Sequence, residues 1–290
     1  MEEPGFTNLA QARVAVVGLG LMGGSLALAL RGHCRELAGA DQNPAVLADA
    51  CRTGVIDRTI PFSEAPLADL LVLAAPVRAI LAQLDELARG PAPVGRPIVL
   101  DLGSTKAEIA AAMARLPAGY APLGGHPMAG KEVSGLAHAE ANLFLDKVFV
   151  LTPLARTPPW ALAVARQLVA AVGARPVELT PERHDVLAAA ASHLPYAAAL
   201  LLVRAAEGLD DDQVWDMAAS GFRDTSRLAA SDVTMMTDIL LTNRASMVQA
   251  LQGYRGQLDA LTALLAAGDA DALAGFLAAA AERRRGLFRP

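Results

Sequence analysis

The sequence GLGLMG, residues Gly18–Gly23, follows the β-branched run Val14–Val17 and opens the helical pattern Gly24–Arg31. A GxGxxG segment between a strand and a helix is typical of dinucleotide-binding folds. Its first glycine permits a tight turn, its second lets the backbone approach a pyrophosphate, and its third lets the helix pack against the strand. The N–H groups at the helix N-terminus would face the phosphates. The predicted cofactor-binding residues here are Gly18, Leu19, Gly20, Leu21, Met22 and Gly23.

Asp41 identifies the expected cofactor. It ends the second apolar run, 23 positions after Gly18. A carboxylate there accepts hydrogen bonds from the adenosine ribose hydroxyls and repels a 2′-phosphate. The adjacent Gln42 and Asn43 bring no positive charge that would bind such a phosphate. We therefore predict NAD as the cofactor, not NADP.

Strand-like and helical patterns alternate from Arg13 to about Thr180, which predicts a parallel sheet covered on both faces by helices. Ala75 and Pro76 follow the third apolar run and are assigned to the cofactor site. The predicted strands are Val14–Val17, Leu37–Ala40, Leu70–Ala74, Ile98–Leu100 and Val148–Leu151. The predicted helices between them are Pro44–Arg52, Val77–Ala88, Lys106–Arg115 and Pro159–Val172.

The pattern becomes helical near Thr180, which is a plausible cap before Pro181, and a long helix is predicted over Glu182–Glu207. The fold class expected is α/β, a Rossmann-type doubly wound and mostly parallel sheet followed by an all-helical C-terminal domain. We place the boundary at about residue 180, with an NAD-binding domain in 1–180 and a helical domain in 181–290.

Composition narrows the classes of partner. The net charge is −5 and no long basic tract is present, so nucleic-acid binding is not expected. The alanine-rich run Val186–Val203 contains Ser192, His193 and Pro195, which favours a buried helix over a membrane span. The two cysteines form neither a CxxC pair nor a ligand cluster, and the N-terminus lacks the apolar core of a secretory signal. A cytoplasmic protein without a metal site is expected.

Two segments after predicted strands carry candidate catalytic groups, DLGSTK at Asp101–Lys106 and GGHPMAGKE at Gly124–Glu132. Open α/β sheets bind ligands at the carboxyl ends of their strands. His126, interpreted as part of a glycine-flanked loop, is a candidate general base, since a neutral imidazole can take a proton from an alcohol while hydride leaves the same carbon. Ser104 would orient that imidazole or the substrate hydroxyl.

The helical part contains two further polar segments. His193 precedes Pro195 inside an apolar helix that the proline should kink, and it is either a substrate-side residue or a satisfied core histidine. The stretch Ser220–Asp232 contains arginines that suit a bidentate pair with a substrate carboxylate. A surface salt bridge to Asp224 or Asp232 is the alternative for such an arginine.

Together these residues resemble the prephenate/arogenate dehydrogenase family of tyrosine biosynthesis, from about Arg13 to about Leu258. The succession of GGHPMAG, SHLP and GFRDTSR along the chain is specific to this family, whereas the GxGxxG segment alone is not. The matching motifs are GLGLMGGSLA at Gly18–Ala27, DLGSTK at Asp101–Lys106, GGHPMAGKEVSG at Gly124–Gly135, SHLP at Ser192–Pro195 and GFRDTSRLAASD at Gly221–Asp232.

The resemblance implies an NAD-dependent oxidative decarboxylation of prephenate to 4-hydroxyphenylpyruvate, with arogenate as the alternative substrate, in a homodimer formed through the helical domain. His126 would hydrogen-bond the ring C4 hydroxyl, Ser104 would assist near the nicotinamide, and Arg227 would bind a substrate carboxylate. The remaining substrate-binding residues implied are His193, Glu132, Ser220 and Gly221. Ser220 stands where the family often has glycine, and Val233–Met236 lacks the tryptophan found in many members.

Two other functions remain open at this point. A β-hydroxyacid or imine dehydrogenase of similar architecture would place a catalytic lysine in a KxxxN pattern of the helical domain, but no lysine follows residue 180. A non-catalytic NAD sensor would bind NAD without turnover. It would leave the clustered His126, Ser104 and Arg227 unexplained.

Overall fold

The computed structural model describes residues 6–131 and 133–287, and an eight-stranded sheet forms its centre. The strands are β1 (Arg13–Val17), β2 (Glu36–Ala40), β3 (Arg58–Thr59), β4 (Leu70–Leu73), β5 (Ile98–Asp101), β6 (Ala121–Pro127), β7 (Val148–Pro153) and β8 (Arg175–Glu178). Their order in the sheet is β3-β2-β1-β4-β5-β6-β7-β8. The predicted, mostly parallel sheet is confirmed.

Strand direction brings the candidate segments to one edge of the sheet. Every neighbouring pair is parallel except β6 and β7, which run antiparallel. The carboxyl ends of β1, β2, β4, β5 and β6 therefore lie on the same edge. The chain crosses from β1 and β2 to the other half of the sheet at β4, and open α/β sheets bind their ligands at such a switch point.

Helices cover both faces of the sheet, as predicted. Along β1, Val14 and Val16 pack into a core with the helices Leu21–Leu30 and Pro159–Ala171, whereas Ala15 and Val17 face a separate core with the helices Val77–Arg89 and Ala107–Ala114. The alternation follows from the two-residue period of a strand buried on both sides. These helices are α1 (Leu21–Leu30), α2 (Pro44–Arg52), α3 (Val77–Arg89), α4 (Ala107–Ala114) and α5 (Pro159–Ala171).

Beyond β8 the described chain is helical. Contacts divide the chain as a whole into two compact units. The first unit includes the sheet and ends at Asn243, and the second begins at Arg244. The helices are α6 (Pro181–Ala188), α7 (Leu194–Glu207), α8 (Gln213–Asp216), α9 (Ser220–Ser226) and α10 (Val233–Thr242) in the first unit, and α11 (Arg244–Ala267) and α12 (Ala270–Leu287) in the second. The functional boundary at residue 180 stays a prediction.

The long helix predicted over Glu182–Glu207 is interrupted. A π-helical turn over Ala189–His193 separates α6 from α7, and Pro195 is the second residue of α7. Because proline has no N–H to donate, a break in the regular hydrogen-bond ladder just before it is the expected response. The kink predicted from Pro195 is thus a π turn, which carries His193 at its end.

Three strands were not predicted from the sequence. β3 and β8 are short, polar edge strands, and β6 contains two consecutive glycines that suggested a loop. A side chain is excluded at both glycines. A Cβ on Gly124 would lie 2.1 Å from Thr152 Oγ1, and one on Gly125 would lie 2.7 Å from the carbonyl oxygen of Asp101. His126 therefore lies in a strand, not in the glycine-flanked loop first expected.

One helical stretch of the described chain, Pro181–Glu207, is long and apolar enough to span a membrane by length and composition, with a mean hydropathy of 1.8 in its most apolar window. A third of that window is buried inside the structure. Because the core helix of a globular protein has the same properties, this is weak evidence for a membrane span.

Candidate active site

The glycine-rich turn after β1 has the shape that a pyrophosphate needs. Gly18 has φ of 91°, and a Cβ there would lie 2.8 Å from the carbonyl oxygen of Ala74, so the turn packs tightly against the end of β4. A Cβ on Gly23 would lie 1.9 Å from the carbonyl oxygen of Gly18. Gly20 caps α1, and a Cβ there would meet no atom within 4 Å. The open space lies beside Gly20, where the second glycine of the fingerprint faces its ligand.

Helix α1 begins at Leu21, three residues before the predicted start at Gly24, so Leu21 and Met22 form its first turn. The cap is Gly20, and no side chain among the described residues accepts a hydrogen bond from the N–H groups of this first turn. Such a turn offers free donors and the positive end of the helix dipole to an anion.

Asp41 lies beside this turn at the end of β2. Its Oδ2 accepts a hydrogen bond from the Leu19 N–H at 2.8 Å, and its Oδ1 accepts one from the Asn43 N–H at 2.9 Å. A carboxylate has about four acceptor positions, so both oxygens can still accept from ribose hydroxyls. Ala75 and Pro76 connect β4 to α3 on the same edge of the sheet. These residues fit the adenosine and pyrophosphate groups of NAD.

A buried ion pair fixes the strand that carries His126. Lys106 and Asp101 are both inaccessible to solvent and in direct contact. The Lys106 ammonium also donates to the carbonyl of Gly125 at 2.7 Å, and Asp101 Oδ1 accepts from the Gly125 N–H at 3.2 Å. Both backbone groups of Gly125 are thus held by this pair, one residue before His126. Burial raises the pKa of Asp101 and lowers that of Lys106, while their contact opposes both shifts.

We expect Lys106→Met to destabilise the fold by about 3–5 kcal/mol, because it leaves the Asp101 charge buried without its partner. Urea denaturation followed by far-UV circular dichroism measures the change. Lys147→Met is the matched control, since Lys147 is exposed and its replacement should alter stability by less than about 0.5 kcal/mol. Equal stability of the Lys106→Met protein and the unmodified protein would contradict the role of the Lys106–Asp101 pair in holding this strand.

His126 is half-buried near the end of β6 and takes part in a chain of hydrogen bonds. Its Nδ1 lies 2.8 Å from His184 Nε2, and His184 Nδ1 lies 2.8 Å from Asp185 Oδ1. His184 and Asp185 are buried in α6. Among the described residues, no hydrogen bond reaches the second ring nitrogen of His126, Nε2. That atom remains available to a substrate.

The surroundings keep His126 neutral. Burial is the largest cause that holds its pKa well below the ordinary value of 6.5, and His184, Lys106 and His193 lower it further. Burial likewise lowers the pKa of His193 to about 4, although Asp185 opposes the shift. A neutral imidazole is the form that accepts a proton, so His126 is suited to general-base chemistry at neutral pH.

The sequence analysis did not identify His184, Asp185 and Asn243, which are all buried. Asp185 accepts hydrogen bonds from the N–H groups of Lys106 and Ala107 at 2.7 and 2.8 Å, so it caps the start of α4 from another helix. The Asn243 amide donates to the Asp185 carbonyl at 2.8 Å and lies 3.3 Å from His193 Nδ1. The sequence signal for these residues is the adjacent polar pair His184 and Asp185, which lies near the start of an apolar helix.

The remaining predicted residues lie in different places. Ser104 is half-exposed in the loop between β5 and α4, next to the strand of His126. Ser220 and Gly221 are exposed in α9, and Arg227 is exposed in the 3-10 turn that follows and packs on α7. The structure does not place these three against His126. Glu132 lies outside the described residues.

Salt bridges were the alternative proposed for the arginines of this stretch. Asp224 pairs with Arg223 at 3.2 Å, and Asp232 accepts from the Met235 N–H as the cap of α10. No group of three or more histidine, cysteine or acidic side chains within residues 6–131 and 133–287 could hold a metal ion.

Comparisons with known proteins show which family the chain belongs to. Residues 26–178 match the family model described as prephenate dehydrogenase, nucleotide-binding domain, and residues 180–279 match the one described as prephenate dehydrogenase, dimerization domain. The chain is 33% identical over 287 residues to the prephenate dehydrogenase of Bacillus subtilis, an alignment that covers 97% of this chain and 77% of that relative.

Two solved structures are similar over nearly the whole chain. Prephenate dehydrogenase from Aquifex aeolicus, in complex with hydroxyphenyl propionate and NAD+, superposes with a TM-score of 0.89 at 29% identity, covering 97% of this chain and 99% of that one. Arogenate dehydrogenase from Synechocystis superposes with a TM-score of 0.82 at 32% identity, covering 95% and 100%.

Proposed function

The chain belongs to the prephenate dehydrogenase family, and from that premise we propose that it catalyses the NAD-dependent oxidative decarboxylation of prephenate to 4-hydroxyphenylpyruvate. The observation that carries the proposal is the placement of the His126 imidazole. One of its nitrogens is engaged by His184 and the other is available at the sheet edge where the glycine-rich turn lies.

The chemistry needs little more than a positioned base. NAD, when bound, supplies the acceptor for the hydride that leaves C4 of the substrate. His126 Nε2 takes the proton of the C4 hydroxyl, and Ser104 assists in orienting that hydroxyl. The ring carboxylate leaves as CO₂, its electron pair completes the aromatic ring, and His126 returns the proton to the phenolate oxygen, so the overall step is strongly downhill. The protein therefore mainly positions groups and holds one proton.

The remaining roles are proposals that rest on the matching motifs. Arg227 binds a substrate carboxylate, and His193, Ser220, Gly221 and Glu132 line the substrate side. Prephenate and arogenate differ only at the side chain, which is a ketone in one and an ammonium in the other. Arogenate remains the second candidate because the Synechocystis arogenate dehydrogenase also resembles this chain, with a TM-score of 0.82 at 32% identity.

The test is the absorbance at 340 nm after the purified protein is mixed with NAD and either prephenate or L-arogenate, with NADP in a parallel arm. We expect rapid NADH formation with prephenate and much slower reduction of NADP, because Asp41 repels a 2′-phosphate. Faster turnover of arogenate would reassign the substrate. Silence with both substrates, despite measurable NAD binding, would remove the proposed function and leave the NAD sensor.

We further propose a homodimer formed through the helical region, in the cytoplasm. The second family model is described as a dimerization domain and covers residues 180–279. Leu258, Leu265 and Leu277 are exposed in α11 and α12, and a subunit interface in this region would remove such side chains from water. Both cysteines are free thiols, as in a reducing compartment.

A further inference from the structure

We propose that His184, anchored by Asp185, is a positioning residue that fixes His126 in the one neutral tautomer whose Nε2 carries a lone pair. The inference rests on the proposed function, because it assigns a task to residues that act through His126. It goes beyond that function in naming two groups on α6 that do not touch the substrate.

The direction of the hydrogen bonds begins at Asp185. Its Oδ1 accepts the Lys106 N–H at 2.7 Å and its Oδ2 accepts the Ala107 N–H at 2.8 Å, at the positive end of α4. Free helical N–H groups favour a carboxylate over a carboxylic acid. A carboxylate only accepts, so the ring nitrogen that contacts Oδ1, His184 Nδ1, must carry a proton.

The proton on His184 Nδ1 determines which atoms donate and which accept in the rest of the hydrogen-bond chain. Neutral His184 with a proton on Nδ1 has a lone pair on Nε2, which lies 2.8 Å from His126 Nδ1. Since that lone pair can only accept, His126 must donate from Nδ1. A neutral His126 that is protonated on Nδ1 then has its own lone pair on Nε2, the atom that is available to the substrate. The opposite tautomer would present an N–H there, which cannot take a proton.

The burial of His184 and Asp185 strengthens the preference for one tautomer of His126. His184 is 2% exposed and Asp185 is 3% exposed, so water does not compete for their hydrogen bonds. In solution an isolated imidazole exchanges between its tautomers. Here the wrong tautomer would leave buried polar groups unpaired, which costs about 1–3 kcal/mol for each group. When His126 accepts a proton, its charge is also stabilised through His184 by the Asp185 carboxylate.

Two substitutions at position 184 test separately the two hydrogen bonds that His184 makes, one with His126 and one with Asp185. In His184→Gln, the amide oxygen can occupy the place of Nε2 and accept from His126, whereas the contact with Asp185 is lost. In His184→Asn, the amide nitrogen can occupy the place of Nδ1 and donate to Asp185, whereas His126 loses its partner. Both variants leave the two backbone N–H bonds of Asp185 in place, so the cap of α4 is preserved.

We expect kcat to fall by roughly 10- to 100-fold in His184→Asn, and by only a few-fold in His184→Gln, because a misplaced base costs about that much. The KM for NAD should stay unchanged in both. Thermal unfolding measured beside the assay identifies a variant that fails to fold. Equal losses of kcat in the two variants, or no loss in either, would overturn the positioning role.

The tautomer is also observable without turnover. Long-range ¹H–¹⁵N correlation NMR of the unmodified protein at pH 7 distinguishes protonated from bare ring nitrogens, and the missing signals of His126→Asn assign that ring among the five histidines. We expect His126 to carry its proton on Nδ1. A proton on Nε2 would overturn the inference even if prephenate is oxidised. Absent turnover with the expected tautomer would instead remove the proposed function and leave the hydrogen-bond chain standing.

Discussion

The His126→Asn enzyme should bind NAD normally and lose most of its turnover. Asparagine is similar in size to part of the ring and keeps a polar group at the end of β6, but its amide cannot take a proton from the C4 hydroxyl. Removal of a positioned general base typically lowers the rate by about 10²–10⁴-fold. Initial rates at 340 nm give kcat, and quenching of protein fluorescence by NAD gives the affinity for the cofactor. Because the glycine-rich turn and Asp41 lie elsewhere on the sheet edge, that affinity should not change.

His33→Asn is the control for this substitution. His33 is exposed in the turn between α1 and β2, so the same chemical change there should leave kcat within about two-fold, as is usual for surface positions. Near-normal turnover in His126→Asn would remove His126 from the mechanism.

Hydrophobic periodicity and glycine placement predicted five of the eight strands of the described sheet. The runs at β1, β2 and β4 are nearly continuous apolar stretches that end in turn residues, which is the pattern of strands buried on both faces. β6 was not predicted because its two consecutive glycines were interpreted as part of a loop. Its glycines are required by tertiary packing instead, since the side chain of Thr152 and the backbone of Asp101 occupy the space of their Cβ atoms.

The candidate site divides in a similar way. His126, Ser104 and the glycine-rich turn belong to motifs that are contiguous in sequence, and the structure places all of them on one edge of the sheet. His184 and Asp185 lie 58 and 59 positions beyond His126 and form part of no recognisable motif. Their role depends on α6 packing against α4. Sequence patterns report local structure, whereas this contact exists only when two distant helices meet.

The Arg227→Ala enzyme should show a steep rise in KM for prephenate with a smaller change in kcat. A substrate carboxylate that loses its guanidinium partner in a closed site typically costs about 2–4 kcal/mol, which corresponds to roughly 30- to 1000-fold in KM. The affinity for NAD should be unaffected. Steady-state rates over a wide range of prephenate concentrations measure the effect, with circular dichroism to verify that α9 and the turn after it are retained.

Arg223→Ala is the matched control, because Arg223 lies four residues earlier, is exposed, and pairs with Asp224 at 3.2 Å. If both arginines acted only through surface salt bridges, the two variants would behave alike and each would cost less than about 1 kcal/mol. A large KM effect confined to Arg227 would instead place the substrate carboxylate at the turn Arg227–Ala230. An unchanged KM would remove Arg227 as the carboxylate anchor, and Arg223→Ala would then show whether its neighbour in the same motif takes that role.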